Sequence, residues 1–98
     1  MSKIVKIIDS PRMGKRYRVY LENDKFYDFG LDGGSTYIDH RDKKKRDAYR
    51  KRHYSNGTEK YLIDTLTPSP ALYSYYILWG NSEDIMKNVD SLNRKMGN

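Results

Sequence analysis

The first thirty positions carry the pattern of strands and turns, and the spacing then turns helical. Lys3 to Ile8 is rich in Ile and Val and reads as a strand, closed by a turn at Asp9-Ser10-Pro11 and Gly14. From Arg16 to Glu22, Tyr17, Val19 and Leu21 fall on one face and Arg16, Arg18 and Tyr20 on the other. Asn23-Asp24 reads as a two-residue hairpin turn, because Asn and Asp tolerate positive φ. Lys25 to Phe29 then returns as the partner strand. In that register Leu21 faces Phe26 and Tyr20 faces Tyr27, an aromatic cross-strand pair. The pattern predicts a small antiparallel meander over about 3–29.

Gly30, Gly33 and Gly34 break the sheet. The stretch from about 39 to 53 has no Gly or Pro, is dense in Lys, Arg and Ala, and predicts a helix capped by Thr36 or Asp39. Its apolar stripe is only Ile38, Tyr49 and Ala48, so most of it faces solvent or a partner. After a loop at Ser55-Asn56-Gly57, Thr58 is the expected cap of a short helix that runs to Leu66 and ends at Pro68. Ser69 followed by Pro70 opens a segment in which Leu72, Tyr73, Tyr75, Tyr76, Ile77, Leu78 and Trp79 are apolar nearly all round. That segment is the expected buried centre, with Gly80 as its end. Ser82, Glu83 and Asp84 open a last helix with Ile85, Val89, Leu92 and Met96 on one face and Arg94 and Lys95 at its end. The expected fold is α+β: one domain over 1–98, a hairpin-based sheet at about 3–29, a basic helix at about 39–53 and a helical part at about 58–96, three to four helices in all.

Composition narrows the functional classes. A chain of 98 residues buries a thin core, and the mean hydropathy of -0.97 agrees. Ten Tyr, two Phe and one Trp mark a folded domain with an aromatic core. Tyr also suits interfaces, and Tyr20 and Tyr27 are expected there as exposed aromatic contacts. The absence of Cys excludes disulfides, thiolate nucleophiles and cysteine-ligated zinc. The longest mostly apolar run, Ala71 to Trp79, is under half a membrane span, and no apolar run of signal-peptide length is present. A soluble intracellular protein is expected, although Asn56-Gly57-Thr58 is formally a glycosylation acceptor.

All of the net charge lies in one window. Between Arg41 and Arg52 stand Arg41, Lys43, Lys44, Lys45, Arg46, Arg50, Lys51 and Arg52, against Asp42 and Asp47. The rest of the chain balances eleven basic against eleven acidic residues, so the window carries the whole +6. Like charges at adjacent and i, i+4 positions repel, and so dense a block exceeds what solubility needs. These eight residues are the expected contact surface for an anionic partner. Lys43 to Arg46 also has the composition of a nuclear-import signal.

No constellation points to catalysis. His40 and His53 are the only histidines; they lie at opposite ends of a cationic segment and lack the further ligands a zinc site requires. Gly30 to Ser35 has neither the glycine spacing nor the Lys-Ser/Thr pair of a phosphate loop. Asp9 with Glu22 and Asp24 with Asp28 fall at turns or on exposed faces, with nothing that converges them as an acid–base pair. The expectation is no enzyme activity, no catalytic residue, no metal, no cofactor and no small-molecule substrate.

The succession Phe29-Gly30, Gly34-Ser35-Thr36-Tyr37, His40-Arg41-Asp42, Tyr49, Arg52-His53 and Ser69 through Ile77-Leu78-Trp79 resembles a family of small basic proteins. That family is encoded by nucleocytoplasmic large DNA viruses, the giant algal viruses, iridoviruses and their relatives. The likeness spans about Lys15 to Met96. The chain departs from it at Leu72-Tyr73 and Tyr75-Tyr76, where Phe, Trp and basic residues are expected, and at Asp24, where Gly usually completes the hairpin. The family has no established enzymatic activity, so no catalytic residue is carried over. The resemblance implies a viral protein, with a minor capsid or cement role on the inner side of the shell as the leading expectation. Its partners would be capsid proteins of the same virus, met in the host cytoplasm during assembly. Binding of genome phosphates through Arg41–Arg52 is the alternative.

Overall fold

The computed structural model describes residues 3–97. Strands β1 (Ile4–Asp9), β2 (Lys15–Leu21) and β3 (Phe26–Leu31) form an antiparallel meander in the order β1-β2-β3. Five helices follow: α1 (Tyr37–His40), α2 (Lys43–Ser55), α3 (Gly57–Asp64), α4 (Pro70–Tyr73) and α5 (Ile85–Lys95). The α+β class and the initial meander are as expected.

The β2–β3 register differs from the expected one by a single residue, and the turn is the reason. Asp24 N–H donates to the Leu21 carbonyl, and Leu21 N–H donates to Lys25 at 2.9 Å. Asp24 itself sits in the left-handed region at φ 67. This is a tight turn followed by a bulge, with Asp where Gly is the usual choice. Tyr20 therefore pairs with Phe26, and Val19 with Tyr27. A slip of one residue exchanges the faces of a strand. It brings Tyr27 to the side of the sheet that packs on the helices, 5.7 Å from the Tyr73 ring, and leaves Phe26 49% exposed on the other.

The expected helix over 39–53 is two helices. Asp39 accepts from the Thr36 N–H and hydroxyl, both at 2.8 Å, and so caps the start of the short α1. Arg41 then turns left-handed at φ 59, and Asp42 restarts the chain by accepting from the N–H groups of Lys44 and Lys45. A carboxylate at that position outcompetes continuation of the helix, because it satisfies two amides that would otherwise have no partner. The caps of α3 and α5 also lie two residues from those expected: Asn56 caps α3 in place of Thr58, and Asp84 caps α5 in place of Ser82.

One face of the sheet packs on the segment that follows Ser69. Leu72, Tyr73, Ile77, Leu78 and Trp79 are buried against Val19, Leu21 and Phe29, with Val89, Leu92 and Met96 of α5 closing the core. After α4 the chain passes through a π-helical turn, Ser74–Leu78, in which Trp79 N–H reaches the Ser74 carbonyl at 3.1 Å. Gly80 follows at its end, where a Cβ would stand 2.2 Å from the Tyr76 carbonyl oxygen and only glycine fits. Two buried asparagines fasten α5. Asn93 exchanges two hydrogen bonds with the backbone of Ile4, and Asn88 holds Ile77 and Ser82. Among the described residues no helix is long and apolar enough to cross a membrane.

Candidate interaction surfaces

Helix α2 buries no residue completely, and its two sides have different chemistry. The inward side is set by Arg46, Tyr49, Arg50 and His53, spaced for one face of a helix. The Arg46 guanidinium lies 4.8 Å from the Tyr37 ring centroid and 3.1 Å from Asp47, with its side chain only 15% exposed. Tyr49 stacks on Trp79, with ring centroids 4.1 Å apart and planes 8° from parallel. Arg50 donates to the Trp79 carbonyl at 2.7 Å and to Asn81 at 3.0 Å. His53 pairs with Glu59 at 3.0 Å, a contact that ties α2 to α3. Of the eight basic residues singled out in the sequence, Arg46 and Arg50 thus hold the helix in place.

The other six face outward. Lys43, Lys44, Lys45, Lys51 and Arg52 are exposed, and no ion pair involves them among the described residues. Arg41 lies 3.6 Å from Glu83, but both side chains are largely in water, so the pair neutralises little. Lys44 with Lys51 and Lys45 with Arg52 each stand two turns apart, which makes two parallel rows of positive charge about 10 Å long. Asp42 stays ionised at the start of the helix, its pKa lowered above all by the Lys45 N–H bond, so it offsets charge only at that end.

A second surface lies on the side of the sheet that no helix covers. Arg18 pairs with Asp28 at 2.9 Å, and its guanidinium lies 4.0 Å from the Phe26 ring centroid. The Tyr20 and Phe26 rings stand 5.9 Å apart, with Ile8 beside Arg18 across the β1–β2 ladder. Arg18 is held cationic, its pKa raised chiefly by the Asp28 hydrogen bonds, and the Asp28 carboxyl is lowered by the same contact. Of the two expected aromatic contacts, Tyr20 is on this outer face and Tyr27 is on the inner one. Phe26 takes the outer place, exposed by the register slip; the αL tolerance of Asp24 was the sequence signal for it.

His40 and His53 are separated by the length of α2 and bind different partners. His40 Nδ1 accepts from Asp42 N–H at 2.9 Å, which places its proton on the buried Nε2, and its ring lies 5.4 Å from that of Trp79. Among the described residues no group of three or more His, Asp or Glu side chains is arranged to hold a metal ion.

No curated protein and no solved structure matches the chain. A protein family does match over residues 5–53, half of the chain, a span that holds the meander after Ile4, α1, and α2 as far as His53, with all eight basic residues. On that match the chain belongs to the family of unknown function DUF5754.

Proposed function

We propose that this protein is a structural component of the virion of a large DNA virus, a minor capsid or cement protein that joins neighbouring capsid proteins on the inner side of the shell. The viral assignment rests on the resemblance drawn from the sequence. The observation that carries the cement role is the pair of uncovered surfaces on one small domain. The aromatic patch of Tyr20, Phe26 and Arg18 lies on the open side of the sheet, while α2 packs only on elements of the covered side. A cement protein has to touch at least two neighbours, and two such faces meet that need. Aromatic and Arg side chains are the usual anchors of protein interfaces, and outer charges steer and orient the approach. The cationic rows of α2 would meet acidic patches on one capsid protein, and the aromatic face would seat against another.

The parallel rows of Lys44, Lys51, Lys45 and Arg52 also favour a second reading, contact with genome phosphates. Partition of the protein between intact and genome-emptied particles separates the two. A shell protein stays with the emptied particle at unchanged copy number, and a genome-bound one leaves with the DNA.

A further inference from the structure

Arg50, on the inward side of α2, reaches into the body of the protein. Its two hydrogen-bond acceptors, the Trp79 carbonyl and the Asn81 amide oxygen, are both neutral. A guanidinium has five N–H donors, so three remain unspent, and no ion pair of Arg50 occurs among the described residues. Burial first, and then the nearby charge of Arg46, pull its pKa below the ordinary 12.5. A partly buried cation held in no ion pair is costly to keep.

Beside it lies a cavity of about 150 Å³, lined by Arg50, Tyr75, Tyr76, Asn81, Ser91 and Lys95 among others. No carboxylate is among the lining residues. Lys95 comes from the last turn of α5, its ammonium 5.6 Å from the Tyr76 ring centroid and in no ion pair among the described residues. The Arg50 guanidinium is likewise 5.6 Å from the Tyr75 ring. The volume is several times the roughly 30 Å³ share of one water. Two cations in no ion pair, three hydroxyl-bearing side chains and the amides of Asn81 and Asn88 therefore line a space large enough for a small anion.

We propose that this pocket, between α2, the π-helical turn and α5, is an oxyanion site that takes a phosphate group between Arg50 and Lys95. Arg50 supplies a forked donor already fixed by Trp79 and Asn81, and Lys95 a mobile point charge from the rim. The hydroxyls of Ser91, Tyr75 and Tyr76 donate to the remaining oxygens. A phosphate dianion matches the two positive charges. The site is separate from the outward rows of α2, and the inference does not depend on the shell assignment. The phosphate is either a free ion or the terminal group of a larger molecule.

The test is titration of the full chain with inorganic phosphate at constant ionic strength, followed by amide chemical shifts. Saturable shifts are expected at Ser91, Lys95 and Asn81, with affinity about tenfold weaker in Lys95→Gln, the effect of losing one charge-assisted contact. Lys44→Gln, which removes an equal charge outside the pocket, leaves the affinity unchanged. Phenyl phosphate serves as the second arm: tighter binding than inorganic phosphate identifies a phosphoryl group on a larger molecule, and weaker binding a free ion. Shifts spread along α2 and lost equally in both variants would overturn the proposal, as would absence of saturation in the native chain.

Discussion

The ring of Tyr49 lies flat on the indole of Trp79, 4.1 Å away, and that stack attaches the basic helix to the core. His40 approaches the same indole at 5.4 Å, so Trp79 contacts both α1 and α2. Replacing Trp79 with Ala removes the indole that seats both helices and leaves a cavity, with an expected loss of about 3–5 kcal/mol. For a domain of this size that lowers the melting temperature by on the order of 12 °C or more. A Trp79→Ala chain that melts with the native protein would show that α2 is not anchored there.

The turn at Asp24 makes a second prediction. An L-residue at φ 67 is strained where glycine is not. Asp24→Gly should stabilise the protein by about 0.5–1 kcal/mol, read as a rise in denaturant midpoint at constant slope. A fall in midpoint would mean that the Asp24 side chain contributes more than its backbone costs.

Much of this fold was legible in the sequence, and the misreadings have a common physical source. The strands, the Ser69-Pro70 helix start, the buried Trp79 and the amphipathic α5 follow from periodicity and caps, which are local signals. The β2–β3 register and the break between α1 and α2 depend on Asp24 and Arg41 adopting left-handed backbone, which Asp tolerates without requiring and Arg does not announce. The charge block was plain, but which of its members face outward was not. That depends on Tyr37, Trp79 and Asn81 arriving from elsewhere in the chain to engage Arg46 and Arg50.

Acid stability reports on the β2–α1 junction. Arg16 makes a bidentate pair with Asp39, and that contact above all, helped by Thr36, holds the Asp39 carboxyl well below its ordinary 3.8. A depressed carboxyl contributes stability that is present above 3.8 and is lost as pH falls through the folded value. Asp39→Asn should therefore be less stable than the native chain at neutral pH, with the gap closing in acid. Paired melting curves across pH read this directly. A gap that stays constant into acid would show that the pairing does not act through the Asp39 charge.

The division of α2 into inner and outer sides separates stability from binding. Changing Lys43, Lys44, Lys45 and Lys51 to Gln should leave the melting temperature within a degree or two, on the order of surface substitutions. The same variant should bind an acidic partner more weakly and with a flatter salt dependence. Arg46→Gln should do the reverse, costing about 1 kcal/mol by loss of the Tyr37 contact. If the four-lysine variant unfolds, the outer face is not free as described.

The central claim, that the protein is held in a virus shell by protein contacts, is met most directly by cross-linking with mass spectrometry on purified virions before and after genome removal. The account predicts links from Lys43, Lys44 and Lys45 into acidic segments of capsid proteins, retained in the emptied shells. Loss of those links together with the DNA would contradict it and assign the basic face to the genome.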